Sequence, residues 1–380
     1  MIFFLTNLSN SISVPVNKLN KRHSIIFLLP RFSGGGAERV ALNLLTGLYN
    51  KGHNIAIVVF EKSGPLLSMV PDESLIYSLE TNTLKKSIIP LIIKLRQLEP
   101  AIIFSTFGYI NVTLLAIRWL LPKKMKIWVR EANLPSISLP NNPFPKLMVF
   151  LYWLLYRKAD RLICTSKRMR GEFISDFMVH DDLIEILPNP VDLQKIHKLF
   201  LPIKRFDKGG PCFIASGRLI YQKGFDRLLC WFNKLENKKS TLIILGEGDL
   251  KSILIKKVKM LNLKNRVKFV GFCDNPWQWY NGADVFLLSS RWEGMPNSVL
   301  ESLACGTPVI STKESGGIND IAEQSKSGSV TIATNDQQFI DAMNKVKNKD
   351  KNFVHNSLLP KRYRKENVIS IVEEWINPHI

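Results

Sequence analysis

Residues 291–310 read RWEGMPNSVLESLACGTPVI and carry two glutamates, Glu293 and Glu301, eight positions apart. The pattern predicts a loop, a helix that begins near Asn297 and, after a glycine turn, a strand at 308–311. One glutamate then precedes the helix, and the other lies on its second turn. Because the first N–H groups of a helix have no intrahelical partner, this segment combines acceptors for sugar hydroxyls with donors for phosphate oxygens. That combination suits a nucleotide sugar.

The same two glutamates also have a purely structural interpretation. Glu293 would then be an acid favoured by the helix dipole, and Glu301 an exposed helical residue. The spacing of two acids does not by itself distinguish the two interpretations. The rest of the chain has to decide between them.

Short apolar runs alternate with amphipathic stretches from residue 24 onward, which predicts two doubly wound α/β domains with parallel sheets. The strands predicted for the first domain lie at 25–29, 55–60, 101–105, 127–130, 161–165 and 184–187. Those predicted for the second lie at 212–216, 241–245, 267–270, 285–289, 308–311 and 329–332. A Lys-, Gly- and Pro-rich segment at 202–211 is typical of an interdomain linker.

Four further motifs lie where predicted strands end, which is where open α/β sheets bind their ligands. They are GGGAER at 34–39, PNPVD at 188–192, SGRLIYQKG at 216–224 and GEG at 246–248. Together with residues 291–310, they occur in the order found in the family-four retaining glycosyltransferases. The chain resembles this family over about residues 24 to 375, including members that build lipid-linked oligosaccharides, O-antigen and other surface polysaccharides.

The resemblance implies the GT-B architecture, in which two Rossmann-like domains face each other across a cleft. It places an N-terminal extension at 1–23, an acceptor-side domain at 24–200 and a donor-binding domain at 211–361. A C-terminal segment at 362–380 would contain a helix that crosses back to pack on the first domain.

The resemblance also implies the site residues. Arg218 and Lys223 would hold the diphosphate, Glu293 would contact the hydroxyls of the donor sugar, and Glu301 would accept bonds from the ribose. This makes Arg218, Lys223 and Glu293 the predicted catalytic residues. Besides Glu301, the predicted donor-binding residues are Gly35, Gly36, Gly246, Phe272, Met295, Asn297 and Ser298.

Most of these residues have a structural alternative when taken alone. Gly34, Gly35 and Gly36 would let backbone N–H groups approach a ligand, but a tight strand-to-helix turn also uses glycine. Glu38 is either a helix-start acid or a ligand-binding group. Arg218 and Lys223 would otherwise be ordinary surface cations.

The sequence predicts a site without a metal ion or other cofactor. Some glycosyltransferases hold a divalent metal with a D-x-D motif, and this chain contains none. A departing diphosphate still needs positive charge to stabilise it. The resemblance implies that Arg218 and Lys223 supply that charge.

One position departs from the family pattern. Many members carry a histidine near the end of a central strand of the first domain, where this chain reads WVREAN at 128–133. Arg130 and Glu131 either position the acceptor there or form a strand-end ion pair or cap. The sequence leaves both interpretations open.

The charge of the chain predicts a negatively charged partner or surface. The chain has 52 Lys and Arg against 32 Asp and Glu, a net charge of +20. Residues 101–170 carry 12 of the basic residues and two acids, interleaved with aromatic residues. No nucleic-acid-binding signature accompanies them, so nucleic acid is not the predicted partner.

Two segments of this basic region, 111–126 and 144–161, read as apolar helices with Lys and Arg at their ends. Such helices bind anionic membrane surfaces, but core helices with solvated basic ends show the same pattern. No apolar run approaches the ~20 residues needed to cross a bilayer. Residues 1–20 lack the features of a signal peptide, and the five cysteines form no C-x-x-C pair. We therefore predict a cytoplasmic protein, peripheral on the inner face of the cell membrane.

The predicted activity is transfer of a sugar, with retention, from a nucleoside diphosphate to a hydroxyl of a lipid-linked saccharide. The chain shows no obvious nucleophile, which favours front-face substitution. Two alternatives remain. One is another activity of the same fold, such as a phosphatidylinositol mannosyltransferase or a starch- or sucrose-type synthase. The other is a non-catalytic relative that binds lipid or nucleotide, although intact Arg218, Lys223, Glu293 and Glu301 argue against it.

Overall fold

The computed structural model describes residues 25–71, 75–199, 206, 208–348 and 356–376. The N-terminal extension predicted at 1–23 and half of the linker predicted at 202–211 lie outside these residues. The described chain forms two separate parallel sheets, each covered by helices on both faces. This is the predicted pair of Rossmann-like domains.

The first sheet has seven parallel strands in the order β3-β2-β1-β4-β5-β6-β7. They are β1 (Ile25–Leu29), β2 (Ile55–Val59), β3 (Leu75–Ser78), β4 (Ile102–Ser105), β5 (Lys126–Arg130), β6 (Arg161–Cys164) and β7 (Ile184–Ile186). Six of them were predicted. The sequence analysis missed β3, a four-residue edge strand that pairs only with β2. Among its described side chains, at 76–78, none is fully buried, unlike in the other edge strands, so its apolar pattern is weak.

The helices of this domain cover both faces of its sheet. They are α1 (Gly36–Asn50), α2 (Leu84–Leu98), α3 (Gly108–Ala116), α4 (Pro135–Ser138), α5 (Pro145–Leu155), α6 (Lys167–Phe177) and α7 (Leu193–Lys198). Alternate residues of β1 enter two different clusters, Ile26 and Leu28 on one face and Phe27 and Leu29 on the other. Burial of both faces explains why the strands read as continuous apolar runs.

The two helices predicted at 111–126 and 144–161 are shorter than expected. The first is α3, which ends at Ala116, and a 3₁₀ turn follows at Arg118–Leu120. Pro122 cannot continue a helix, because it lacks a backbone N–H. The second is α5, which ends at Leu155 before another 3₁₀ turn.

The second sheet has six parallel strands in the order β10-β9-β8-β11-β12-β13, and all six were predicted. They are β8 (Cys212–Ser216), β9 (Thr241–Leu245), β10 (Val267–Gly271), β11 (Val285–Leu288), β12 (Val309–Thr312) and β13 (Val330–Ala333). Its helices are α8 (Phe225–Asn233), α9 (Lys251–Met260), α10 (Trp277–Gly282), α11 (Asn297–Ala304), α12 (Ile318–Gln324) and α13 (Asp336–Asn344).

The last helix, α14 (Lys365–Ile376), packs on the first domain. Val368, Ile369 and Val372 belong to the same buried cluster as α1. The ring of Trp375 lies edge-on to that of Trp128 in β5, with 6.2 Å between centroids. The chain thus returns from the second sheet to the first. No helix of the described part of the chain is long and apolar enough to cross a bilayer.

Candidate active site

The two sheets face each other across a cleft with a volume of about 1120 Å³. The first domain contributes the loop before α1 and the chain after β5. The second contributes the loop after β8 and the segment that leads into α11. All four follow the carboxyl ends of strands, where a ligand of an open α/β sheet binds.

The walls of the cleft approach each other closely where glycines line them. A Cβ atom at Gly36 would lie 3.2 Å from Nδ2 of Asn297 in the other domain. A Cβ atom at Gly294 would lie 2.2 Å from the carbonyl oxygen of Ala132. A side chain at Gly294 would require the backbone of one domain to shift, whereas at Gly36 only the Asn297 side chain would have to yield. Gly35 and Gly36, both predicted donor-binding residues, line the cleft.

Lys223 and Glu293 are in direct contact within the cleft. Lys223 Nζ lies 2.5 Å from Glu293 Oε1, and Ser290 Oγ donates to the same oxygen at 2.6 Å. Glu293 is buried, so its carboxylate depends on these two partners for hydrogen bonding. The sequence analysis placed Lys223 and Glu293 in one site but did not predict that they pair.

Arg218, the second predicted cation, is exposed in the same cleft. Among the residues that the structure describes, no carboxylate forms an ion pair with it. An unpaired guanidinium beside the Lys223 ammonium makes this wall strongly attractive to a diphosphate. Within the described ranges, no cluster of three or more His, Cys, Asp or Glu side chains is placed to hold a metal ion.

The start of α11 forms the floor of the cleft. Three predicted donor-binding residues line it: Met295, Asn297 and Ser298. Met295 is largely buried, and its sulfur lies 2.8 Å from where a Cβ atom of Gly317 would be. This packing fixes the turn from which α11 begins.

Glu301 does not line the main cleft. It lies in a smaller adjoining pocket of about 60 Å³, together with Arg39, Lys195 and Trp277. Burial raises the pKa of its carboxyl to about 7, although the positive charges of Arg39 and Lys195 act in the opposite direction. Asn297 lines both spaces and so connects them. The alternative interpretation of Glu301 as an exposed helical residue does not fit this position.

Two predicted donor-binding residues lie outside both spaces. The N–H of Gly246 donates to the carbonyl oxygen of Gly271 at 2.7 Å, and a Cβ atom at Gly246 would lie 2.0 Å from Gly217 O. Gly246 therefore supports the loop that carries Arg218, and its N–H is not available to a phosphate. Phe272 is 66% exposed and lines neither space.

Arg130 ends β5 and lines the cleft although its side chain is only 1% exposed. It donates from Nη1 to Thr106 Oγ1 at 3.1 Å and from Nη2 to Asn189 Oδ1. Asn189 in turn donates from Nδ2 to Asn297 Oδ1 at 2.5 Å. Burial lowers the pKa of Arg130 to about 10, so the side chain stays charged at neutral pH.

Glu131 points away from the cleft into the core. Its carboxylate accepts from Asn111 Nδ2 at 2.8 Å, from Tyr152 OH at 3.3 Å and from Tyr156 OH. Burial raises its pKa to about 7. Glu131 thus does not line the cleft, whereas Arg130 does, so the geometry favours a structural role for Glu131. Both belong to the described chain, and their side chains form no ion pair with each other.

Asn189 lines the cleft and was not among the predicted site residues. It lies within the PNPVD motif at 188–192, which contributed to the family resemblance but received no role in the site. Its partners are distant in sequence, so only the fold reveals the link. The feature of the sequence that could have pointed to Asn189 was its position just after the strand predicted at 184–187.

Two family models together match most of the chain. Residues 34–195 match the model described as Glycosyltransferase Family 4, and residues 199–362 match the model described as Glycosyl transferases group 1. The first model covers the sheet that carries Arg130. The second covers the sheet that carries Arg218, Lys223 and both glutamates.

Two sequence relatives and one solved structure illustrate the similarity. An uncharacterised glycosyltransferase of Methanocaldococcus jannaschii is 31% identical over 242 residues, 60% of this chain and 59% of that protein. The N-acetylgalactosamine-N,N'-diacetylbacillosaminyl-diphospho-undecaprenol 4-alpha-N-acetylgalactosaminyltransferase of Campylobacter jejuni is 32% identical over 231 residues, 60% of this chain and 62% of that protein. The chain thus matches about 60% of the length of these two relatives. The structure of HepE from Anabaena in complex with UDP and glucose superposes with a TM-score of 0.73 at 18% identity, covering 94% of this chain and 100% of that one. This likeness shows the fold.

Proposed function

Since the chain belongs to family four of the glycosyltransferases and has their GT-B fold, we propose that it transfers a sugar from a nucleoside diphosphate to an acceptor hydroxyl. One observation carries the proposal. Arg218, Lys223 and Glu293 converge in a single cleft at the carboxyl ends of both sheets.

The donor diphosphate is held by Arg218 and Lys223 without a metal ion. Arg218 is exposed in the cleft, and Lys223 is held at the base of the same wall by Glu293. When the sugar leaves, negative charge develops on the phosphate oxygen that was bonded to it. Two cations at that oxygen stabilise the charge, and Glu293 already holds Lys223 in place.

The reaction retains the configuration of the sugar by front-face substitution. The bond from the anomeric carbon to the leaving phosphate oxygen breaks, and a bond to the acceptor oxygen forms on the same face. The leaving phosphate oxygen takes the acceptor proton. Lys223 and Ser290 already bind Glu293 Oε1, which favours Glu293 as a hydrogen-bond acceptor for sugar hydroxyls over a role as nucleophile.

The nucleoside half of the donor extends toward the smaller pocket, where Glu301 accepts bonds from the ribose. Asn297 connects that pocket to the sugar end of the cleft. The HepE structure contains UDP and glucose in the same fold, which supports a UDP-linked donor.

The acceptor is a lipid-linked saccharide, and the protein works as a peripheral enzyme on the inner face of the cell membrane. The C. jejuni relative is named for a diphospho-undecaprenol-linked acceptor. The basic first domain supports the same assignment, because it attracts both the acceptor's phosphates and anionic headgroups. The product would enter surface polysaccharide synthesis of the lipopolysaccharide or O-antigen type.

A nucleotide-release assay tests the proposal. Purified protein is incubated with a panel of nucleotide sugars, with and without a crude lipid extract that contains lipid-linked saccharides. We expect release from one donor to rise with the extract, and the sugar to move into the lipid fraction. If phosphatidylinositol or a free sugar stimulates nucleotide release instead, that compound replaces the lipid-linked saccharide as the assigned acceptor. No release from any donor would overturn the enzyme assignment and leave a binding protein.

A further inference from the structure

Tyr221 and Trp292 form an aromatic pair in the wall of the cleft. Both line the cleft, and their ring centroids lie 6.0 Å apart with 55° between the ring planes. Tyr221 is 61% exposed. Core packing does not account for a large aromatic side chain that opens into a cleft, and such a ring is a surface on which ligands bind.

The guanidinium of Arg291 supports the Tyr221 ring on one side. Its carbon Cζ lies over the ring, 3.9 Å from the centroid. Asp226 holds Arg291 through two hydrogen bonds, which Nη1 donates to Oδ1 at 2.8 Å and Nη2 donates to Oδ2 at 2.7 Å. Nη1 also donates to the carbonyl oxygen of Tyr221 at 2.7 Å. Because Arg291 covers one face of the ring, the other face is the one open to a ligand.

Hydrogen bonds join the two loops that carry the aromatic pair. The backbone N–H of Arg291 donates to the carbonyl oxygen of Gln222 at 2.7 Å. The side chain of Gln222 donates in turn to the carbonyl oxygen of Trp292 at 3.1 Å. The two rings are therefore held in place before a ligand arrives, which lowers the entropy lost on binding.

The aromatic pair borders the groups assigned to the reacting end of the donor. Trp292 directly precedes Glu293, so their Cα atoms lie about 3.8 Å apart. Tyr221 precedes Lys223 by two residues, a span of at most about 7 Å. Neither ring lines the smaller pocket that we assign to the nucleoside. The pair thus lies at the sugar end of the cleft.

The cleft has room for a second saccharide beside the donor. Its volume of about 1120 Å³ exceeds the ~300–1,000 Å³ typical of a pocket for one small ligand, although the nucleoside has a pocket of its own. The first domain contributes Asn133, Ser138 and Asn141 to the same cleft. A pyranose ring has an apolar face of C–H groups and a rim of hydroxyls. An aromatic face together with amide and hydroxyl groups complements both.

We propose that Tyr221 and Trp292 form a stacking subsite for a pyranose ring of the acceptor. Stacking holds that ring beside Glu293, so that its hydroxyl faces the anomeric carbon of the donor sugar. The assignment of this pyranose as the acceptor rests on the proposed function. The binding of a pyranose to the aromatic pair does not.

Saccharide binding tests the subsite directly. The protein, with UDP in excess, is titrated with the methyl pyranosides of glucose, galactose, mannose and N-acetylglucosamine, and NMR measures the affinity for each. We expect at least one glycoside to bind with an upfield shift of its C–H protons, because an aromatic ring shields protons that lie over its face. Tyr221→Ala should weaken that binding about tenfold and reduce the shift. Tyr221→Phe keeps the ring and should retain both.

A second variant and a matched control accompany Tyr221→Ala. Trp292→Leu removes the other ring and should also weaken glycoside binding. Trp119 is 81% exposed and lines neither the cleft nor the smaller pocket. Trp119→Ala should therefore leave glycoside affinity unchanged. Thermal unfolding of all the variants checks that they fold.

Three results would overturn the subsite. They are no binding of any of the four glycosides, equal glycoside affinity of wild-type and Tyr221→Ala protein, or an equal loss of UDP affinity in that variant. The last result would assign the ring to the nucleotide.

The transfer assay separates this inference from the proposed function. Tyr221→Ala should raise the concentration of lipid extract needed for half-maximal transfer about tenfold, and the donor KM should change much less. If wild-type protein transfers no sugar, the proposed function fails, and glycoside binding still decides the subsite. If transfer proceeds and Tyr221→Ala alters neither constant, the subsite fails and the proposed function stands.

Discussion

Asn189 and Asn297 join the two domains across the cleft, with Asn189 Nδ2 donating to Asn297 Oδ1 at 2.5 Å. Asn189 follows the last strand of the first sheet, and Asn297 begins α11 of the second. Arg130 donates to the other end of the Asn189 amide, so a buried cation of the first domain is linked to the donor side of the cleft through one side chain. This link orients Asn297 without requiring Arg130 to touch it.

A double-mutant cycle on Asn189 and Asn297 should show coupling. Asn189→Ala removes an acceptor from buried Arg130 as well as the interdomain bond, so we expect a loss of about 1–3 kcal/mol in unfolding free energy. The Asn297→Ala variant should lose less. The double variant should lose less unfolding free energy than the two single variants lose in sum, by roughly 0.5–1.5 kcal/mol. Chemical unfolding measures all three, and strictly additive losses would show that the bond contributes nothing.

Lys223 should be needed for the chemical step beyond its contact with Glu293. Lys223→Ala should lower donor turnover by ~10²-fold or more, the scale of removing a preorganised electrostatic group. It also leaves Glu293 buried without its cation, so stability falls too. Adding Glu293→Gln to the same chain should restore stability but not turnover. Turnover of that double variant equal to that of Glu293→Gln alone would mean that Lys223 acts only on Glu293.

Metal removal should leave wild-type turnover intact. If Arg218 and Lys223 stabilise the diphosphate, EDTA has no metal ion to extract from the transition state. The release assay, run with EDTA and then with added Mg²⁺ or Mn²⁺, measures this. Complete loss with EDTA and recovery with a metal ion would contradict the assignment of these two cations.

The two glutamates should affect different kinetic constants. Glu293→Gln should lower kcat strongly at saturating donor, because Glu293 lies in the main cleft, where we assign it to the hydroxyls of the reacting sugar. Glu301→Gln should act mainly on the donor KM, because ribose contacts are the same in ground and transition states. Equal, modest effects of both substitutions would favour structural roles for both acids.

Nucleotide affinity should depend on pH through Glu301. Its pKa is raised to about 7 by burial, so the carboxyl is largely protonated below that pH in the free protein. Ribose hydroxyls donate to the ionised form, so binding favours it and lowers its pKa. We expect affinity to rise between about pH 6 and 8, with proton release on binding. Calorimetry in two buffers measures this, and the Glu301→Gln variant should show no such dependence.

The stability of the protein should also depend on pH through Glu131. Its pKa is raised from 4.5 to about 7 by burial, so the native state keeps a proton that the unfolded chain has released. The protonated Glu131 carboxyl therefore contributes fully to stability below about pH 4.5. This contribution declines as the pH rises to about 7, by at most about 3 kcal/mol. Glu131→Gln should remove this part of the decline. Unfolding curves of both proteins at several pH values test it, and parallel profiles would contradict the assignment.

The sequence alone determined the fold class. Strands buried on both faces must be apolar at every position, and the helices between them must carry an apolar stripe, so their alternation is legible along the chain. It revealed twelve of the thirteen strands in the described residues and the motifs that lie at strand ends. The edge strand β3 escaped because, unlike the other edge strands, it has no fully buried side chain at its described positions 76–78.

The contacts within the site were decided by the tertiary structure. Lys223 and Glu293 are 70 positions apart, and no local pattern reports that they meet. The glycine motif at 246–248 has the composition of a phosphate loop, but the N–H of Gly246 already donates to Gly271 at the end of the neighbouring strand β10. Arg130 and Glu131 are adjacent in sequence and face opposite sides, since successive side chains at a strand end alternate. One side of this strand end faces the cleft, and the other faces the core under α5. Which side is which depends on how the second domain and the helices pack, and the sequence of a single strand does not encode that packing.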